Sequence, residues 1–154
     1  MHIPLQNLLL VINKVSQIIA KNKIKTHPEI IIVTKKFPTS KIIPLIEHGH
    51  IHFGENRIQE AEIKWVELKK KFNHLKLHML GNLQSNKAKK AVQLFDYIHS
   101  LDSKKLALKI SQYENELNKK TKIFISVNLG DEIQKSGISI KELESFYSYC
   151  SNDL

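Results

Sequence analysis

The stretch Ile30-Ile31-Ile32-Val33-Thr34-Lys35-Lys36-Phe37-Pro38 decides how the rest of the chain is interpreted. Its β-branched residues lack the polar alternation of a half-exposed strand, which is typical of a strand buried in a parallel sheet. Lys35 follows at the point where that strand should end. In parallel barrels the carboxyl ends of the strands form the face that carries the chemistry. Lys35 is therefore a candidate reactive group.

A lysine beside apolar strand side chains is partly desolvated, and desolvation favours the neutral amine. A neutral amine can attack an aldehyde and form a Schiff base. The other interpretation of Lys35 is an ordinary surface lysine at the end of a strand. This stretch alone leaves both interpretations open.

The length and composition are those of a single globular domain, which we place at residues 1–154. The formal charge is +9, yet Arg57 is the only arginine among 24 basic residues. Arginine makes the bidentate contacts to phosphate and guanine that specific nucleic-acid binding uses. The lysines are scattered along predicted helices and no RNA- or DNA-binding motif accompanies them, so we expect no specific nucleic-acid partner.

The cysteine and hydropathy patterns favour a cytoplasmic protein. Cys150 is the only cysteine, so no internal disulfide can form, and no Cys/His spacing matches a zinc site. The apolar patch at residues 8–12 is interrupted by Asn13 and Lys14, and it lacks a basic leader and a small-residue cleavage site. We therefore expect no metal, no signal peptide and no membrane span.

Apolar spacing predicts an amphipathic first helix over residues 5–21 that covers an apolar surface. Its stripe has spacings of three and four and consists of Leu5, Leu8, Val11, Ile12, Val15, Ile18 and Ile19. A second helix is expected over residues 39–48, with Thr39 or Ser40 as its N-cap. Pro44 predicts either a late start or a kink in that helix.

Strand and helix signals alternate along the remaining chain. The predicted strands cover residues 29–34, 50–54, 75–80, 97–101 and 122–128, and the helices after them cover 39–48, 57–72, 85–95, 103–117 and 139–150. Ser139 and Glu142 have the spacing of a capping box for the last helix. Regular alternation with short connections predicts a parallel sheet with right-handed crossovers.

Two parallel architectures fit this alternation. A doubly wound dinucleotide-binding fold would carry a glycine-rich turn after its first strand, and residues 34–38 contain no glycine. A complete TIM barrel needs eight strand–helix units and about 250 residues. The predicted fold class is therefore α/β, a partial TIM-type barrel of about five parallel β/α units plus an N-terminal helix, lacking the last three units.

Several segments, taken together, resemble the pyridoxal phosphate homeostasis protein family, single-domain relatives of the alanine racemase N-terminal barrel. In order they are Val33-Thr34-Lys35, Phe53-Gly54-Glu55-Asn56 with Gln59-Glu60, His78-Met79-Leu80-Gly81-Asn82-Leu83-Gln84-Ser85-Asn86-Lys87, Ile98-His99-Ser100-Leu101-Asp102-Ser103, Val127-Asn128 and Lys135-Ser136-Gly137. The similarity extends from the first helix almost to the last residue, and the block ending in Lys87 is its most specific part.

The resemblance implies a protein that binds pyridoxal 5′-phosphate (PLP) as a Schiff base on Lys35 and helps to regulate vitamin B6 supply without catalysis. By position, Asn56 would approach the cofactor ring or its hydroxyl group. Leu80, Ser100 and Asn128, at the ends of the following strands, would line the same mouth. Lys36 should point away from it if Lys35 points in.

Other conspicuous residues have structural interpretations beside functional ones. Glu55 could orient Lys35, but a structural hydrogen bond is favoured. His78 and His99 could be taken for a metal pair, but no carboxylate or cysteine completes a ligand set. We therefore interpret them as barrel-wall histidines paired to neighbours.

The chain departs from the family it resembles, because family members continue for roughly three more strand–helix units. Those units carry the loops that hold the cofactor phosphate, so we expect weaker PLP binding here, and an inactive remnant of the family is an alternative. A PLP-dependent racemase is a further alternative, but it needs a second proton-transferring group, usually a tyrosine from another domain. The open sheet edges predict association with a C-terminal fragment or self-association.

Overall fold

The computed structural model describes residues 3–130 and 136–152. Its helices are α1 (Ile3–Lys21), α2 (Thr39–Glu47), α3 (Ile58–Lys71), α4 (Ala88–Leu94), α5 (Lys104–Leu117) and α6 (Leu143–Asn152). Its strands are β1 (Ile32–Val33), β2 (His52–Glu55), β3 (Lys76–Met79), β4 (Tyr97–Leu101), β5 (Lys122–Ile125), β6 (Val127–Asn128) and β7 (Ile138–Ser139). Short 3-10 turns at Ser85–Lys87 and Ile140–Glu142 precede α4 and α6.

Strands β1 to β5 form one parallel sheet in chain order, and a helix connects each strand to the next. The register pairs Ile32 with Phe53 and Gly54 with His78. The prediction of five parallel β/α units after an N-terminal helix is confirmed. Because all five strands run the same way, their carboxyl ends lie along one edge of the sheet.

The predicted fifth strand at residues 122–128 is wrong in one respect, because it is split in two. The N–H of Ser126 donates to the carbonyl of Leu101 at 2.8 Å, at the level where β4 carries an irregularity in its pairing. Beyond Ser126 the chain leaves the five-stranded sheet, and β6 pairs with β7 in a separate two-stranded sheet. Asn128 therefore belongs to this second sheet.

Two helix starts also differ from prediction. Helix α2 has Pro38 at its N-cap, not Thr39 or Ser40, and it begins early and continues through Pro44. Proline lacks only its own N–H, and the Pro44 carbonyl still accepts from the N–H of His48 at 3.2 Å. Before α6, the Ser139 hydroxyl bonds the Glu142 carboxylate at 2.8 Å without capping the backbone.

The main core lies between the sheet and its covering helices. Phe53 of β2 and Trp65 of α3 are fully buried, with ring centroids 4.9 Å apart. Since side chains alternate along a strand, Phe53 and Glu55 face the helices, whereas His52 and Gly54 face the opposite side. We call that opposite side the inner face.

Helix α1, predicted to cover an apolar surface, buries only part of its apolar stripe in the described residues. Leu8 and Ile19 are its buried residues, whereas Val11, Ile12 and Ile18 of the predicted stripe are exposed. By length and composition alone, α1 is apolar enough to cross a membrane. In the described structure it packs chiefly on α2.

Two glycines allow neighbouring strand ends to approach closely. A Cβ atom at Gly81 would lie 2.1 Å from the backbone oxygen of Asn56, and one at Gly54 would lie 2.5 Å from Cδ1 of Leu80. The atom that would clash at Gly81 belongs to rigid backbone. The atom that would clash at Gly54 is the end of a flexible side chain.

We therefore expect Gly81→Ala to lower the free energy of unfolding by about 1–3 kcal/mol, the range of overpacked sites. Gly54→Ala should cost less, because Leu80 can change rotamer. Urea denaturation of both variants measures the difference. Equal losses, or a larger loss for Gly54→Ala, would contradict the proposed close approach of the β3 loop to Asn56.

Candidate functional site

Three of the five residues expected at the mouth follow neighbouring strands of the sheet. Lys35 follows β1, Asn56 follows β2 and Leu80 follows β3, so these three lie along one edge of the sheet. Ser100 lies within β4, and its buried Oγ has no hydrogen-bond partner in the described residues. Asn128 is half-buried in β6 and is separated from the other four by the break at residue 126.

Lys35 occupies a tight turn between β1 and α2. The N–H of Phe37 donates to the carbonyl of Thr34 at 3.1 Å, and Lys36 has a left-handed φ of 64°. Thr34 faces the helices, and Lys35 follows it in the turn. Within the described residues its ammonium makes no hydrogen bond or ion pair.

The expected desolvation of Lys35 is wrong. Lys35 is exposed, and the inner face beside it is open, with Val33 41% exposed. Sequence indicates which residues are apolar, but exposure depends on what covers them. No described element covers the inner face at β1, so Lys35 is a free, hydrated amine in this structure.

A buried carboxylate holds the turn that carries Lys35. Glu55 is fully buried, and its Oε1 accepts from Thr34 Oγ1 at 2.7 Å, Lys64 Nζ at 2.8 Å and Trp65 Nε1 at 3.1 Å. Lys64 Nζ also donates to the Thr34 carbonyl at 2.7 Å. The structural interpretation of Glu55 is confirmed: it joins the end of β1 to β2 and α3.

Glu60 extends this network to the other side of the turn. Its Oε1 lies 2.8 Å from Lys64 Nζ and accepts the backbone N–H of Lys36. The hydrogen bond from Lys64 and then that from Lys36 hold the Glu60 pKa below its usual value. Removing one partner of a buried ion pair typically costs about 3–5 kcal/mol, because the other charge is left uncompensated. The Lys35 turn is therefore strongly anchored although its side chain is free.

A hydrogen-bonded row of histidines crosses the inner face of the sheet. His52 Nδ1 lies 2.9 Å from His78 Nε2, and His78 Nδ1 lies 2.9 Å from His99 Nε2. At the far end, His52 Nε2 lies 3.7 Å from the Glu29 carboxylate. We call this row the histidine ladder. The prediction that His78 and His99 are paired to neighbours is confirmed.

Neutral imidazoles satisfy the ladder, with His78 donating through one nitrogen and accepting through the other. If each ring donates toward Glu29, every contact joins one donor to one acceptor and the last N–H meets a carboxylate. Burial, and then the neighbouring His99 and His52, lower the pKa of His78 from 6.5 to about 4. Burial also lowers the pKa of His99.

Sequence reasoning missed His52 and the ladder as a unit. The available signal was a histidine on each of three successive strands, at positions that share a face by the period of two. Aromatic rings complete the layer. Tyr97 stacks on His78 with centroids 4.2 Å apart, and Phe124 stacks on His99 at 4.4 Å.

A sequence model of the alanine racemase N-terminal domain matches residues 16–153. The chain belongs to this family. Among curated proteins, it is 34% identical over 115 residues to the pyridoxal phosphate homeostasis protein of Pasteurella multocida. That match covers 75% of this chain and 49% of the relative, so the chain spans about half the length of the protein it matches.

Solved structures agree with the family assignment. PipY of Synechococcus elongatus without PLP superposes with a TM-score of 0.74 at 36% identity, covering 88% of this chain and 64% of PipY. PipY with PLP bound gives a TM-score of 0.70 at 34% identity, covering 90% of this chain and 64% of PipY. The resemblance to this family and the partial TIM-type fold are confirmed.

The family model matches the same part of the chain that forms the five-stranded sheet. The matched range includes β1 through α5 and therefore the Lys35 turn, Asn56 and the histidine ladder. Of the motif Lys135-Ser136-Gly137, Lys135 lies outside the described residues. Gly137 has a φ of 122°, and a Cβ there would lie 2.8 Å from the N atom of Asn128, which explains a glycine at that position.

Because the pKa of His78 is lowered in the folded state, the free energy of unfolding should decrease as the solution becomes more acidic. Between pH 6.5 and about 4 the unfolded chain binds a proton that the folded chain excludes, so the free energy of unfolding decreases as pH falls through this window. The contribution is on the order of 3 kcal/mol. Urea denaturation across this range should show a flatter profile for His78→Gln than for the parent chain.

His27→Gln is the matched control, because His27 is exposed and makes no contact with the described residues. Its profile should follow the parent chain. A His78→Gln profile as steep as the parent's would show that His78 is not held neutral.

Proposed function

We propose that this chain binds PLP covalently through Lys35 and takes part in intracellular vitamin B6 homeostasis. The observation that carries the proposal is a free lysine amine on an anchored turn at the carboxyl edge of a parallel sheet. The chain is similar to PipY, whose structure has been solved with PLP bound. It is also similar to proteins named for pyridoxal phosphate homeostasis.

The residues present suit the aldehyde and ring of this cofactor. Lys35 Nζ, once deprotonated, can form the C=N bond while the aldehyde oxygen leaves as water. Asn56 follows the neighbouring strand and is half-buried, so its carboxamide can reach a ring hydroxyl group. The unpartnered hydroxyl of Ser100 is a second polar group on the adjoining strands. When bound, PLP would supply an electrophilic aldehyde and an electron-withdrawing ring.

We infer a binding role without catalysis. Proton transfer at a substrate carbon would need an acid or base facing Lys35 across the ligand. Tyr97 stands at the start of β4, where its hydroxyl accepts from Lys122 Nζ at 3.3 Å, at the opposite end of the sheet from Lys35. The names of the similar proteins describe homeostasis, not turnover.

We further propose that a partner covers the open inner face and the β1 edge in the cytoplasm. Val33 and Phe37 are exposed at that edge, and Phe124 is half-exposed on the inner face. In barrel proteins the cofactor phosphate is commonly held by the loops after strands seven and eight. A segment with the character of those units, or a second copy of the chain, would cover these surfaces and complete the phosphate contacts. The isolated chain should therefore hold PLP weakly.

Titration with PLP, followed through the visible band of a pyridoxal Schiff base, tests this function. The parent chain should develop the band with weak affinity, and Lys35→Ala should weaken binding by at least about tenfold. Lys36→Ala is the matched control, because Lys36 is the adjacent exposed lysine and contributes only its backbone N–H to the anchoring network.

An unchanged titration of Lys35→Ala would refute the assignment of the reactive amine. Tight stoichiometric binding by the parent chain would refute the weakened phosphate site while leaving Lys35 in its role.

A further inference from the structure

A cleft of about 670 Å³ lies between the loop after β2 and the loop after β3. Its size falls within the range of small-molecule sites. Lys35 is not among the residues that line it, but Asn56 is, so the cleft adjoins the proposed PLP mouth without including the reactive amine. Its apolar floor is formed by Ile58, Met79 and Leu83, all of which are buried.

Arg57 lines this cleft, and it is the only arginine in a chain with 24 basic residues. It occupies the N-cap of α3, where Ser, Thr, Asp and Asn are preferred, and makes no side-chain capping bond. It forms no ion pair within 4 Å in the described residues. Helix stability therefore does not account for arginine at this position, whereas its planar fork suits bidentate recognition of phosphate.

The charge balance of the cleft is positive. Glu60 is its acidic lining residue, and that carboxylate is already bound by Lys64 and by the N–H of Lys36. Lys87 lines the opposite wall and has no ion pair in the described residues. The Glu55–Lys64–Glu60 group carries one net negative charge, which Arg57 and Lys87 outweigh. Such a cleft attracts anions.

Four carboxamide side chains also line the cleft, and none has a side-chain hydrogen bond in the described residues. They are Asn56, Gln59, Asn82 and Gln84. Each presents both donors and an acceptor, which match the edge of a heteroaromatic ring. The apolar floor can receive the face of such a ring.

We propose that this cleft binds a phosphate monoester that carries a heteroaromatic ring. Arg57 and Lys87 hold the phosphate, the carboxamides contact the ring edge, and the floor receives the ring face. Mononucleotides and phosphorylated pyridine vitamers share this chemistry. The site is noncovalent and independent of Lys35.

NMR titration of the full chain with adenosine 5′-monophosphate (AMP) tests the proposal. Amide signals from residues 57–60 and 82–87 should shift on AMP addition, and adenosine should bind at least about tenfold more weakly because it lacks the phosphate. The double variant Arg57→Ala/Lys87→Ala should lose at least about tenfold in AMP affinity. Arg57→Lys should retain part of it, since lysine keeps the charge but not the fork.

The matched control is Lys14→Ala/Lys25→Ala, which removes two exposed charges elsewhere and should leave AMP affinity unchanged. Lys35→Ala should also leave it unchanged, which separates this test from the fate of the PLP assignment. Pyridoxine 5′-phosphate has no aldehyde, so its affinity relative to AMP identifies the preferred ring while testing the same phosphate contacts.

Three results would overturn the proposal. Equal binding of AMP and adenosine would exclude a phosphate site. An equal loss of AMP affinity in the Lys14→Ala/Lys25→Ala control would show that AMP responds only to the net charge of the chain. Loss of AMP binding in Lys35→Ala would place the ligand at the mouth and not in the cleft.

Discussion

The buried carboxylate of Glu55 is the constraint on which the site depends. A fully buried charge must be paired and hydrogen-bonded, and Glu55 meets this need at Oε1 with Thr34, Lys64 and Trp65, whereas its buried Oε2 has no hydrogen-bond partner in the described residues. Thr34 follows β1, whereas Lys64 and Trp65 both lie on α3. The requirement to satisfy one carboxylate therefore fixes the end of β1 against β2 and α3, and it positions the turn of Lys35 without enclosing the lysine.

The two faces of the sheet then serve different purposes. On the helix side, apolar packing around Phe53 and Trp65 supplies the burial that stabilises the domain. On the inner face, the histidine ladder joins β2, β3 and β4 by side-chain hydrogen bonds. Polar groups are tolerable there because each finds a partner in the next strand. The same architecture leaves the carboxyl edge free for ligand chemistry.

Most of the fold could be predicted from the sequence, because β-branched runs alternating with amphipathic helices leave few parallel topologies. The errors arose where long-range contacts override local pattern. Strand β5 ends at Ile125, and the pairing of β6 with β7 separates Asn128 from the five-stranded sheet. The exposure of Lys35 depends on what covers the inner face, which no local pattern encodes. The mouth residues were predicted from the family resemblance. The role of His52 could be recognised only once the register of β2, β3 and β4 placed the three histidines side by side.

The central claim is that Lys35, among many exposed lysines, is the amine that reacts with PLP. Borohydride reduction of the chain with substoichiometric PLP, followed by peptide mass mapping, locates the pyridoxyl group directly. Most of the pyridoxyl label should be found on Lys35. Label spread evenly over exposed lysines such as Lys14 and Lys25, or its absence from Lys35, would contradict it.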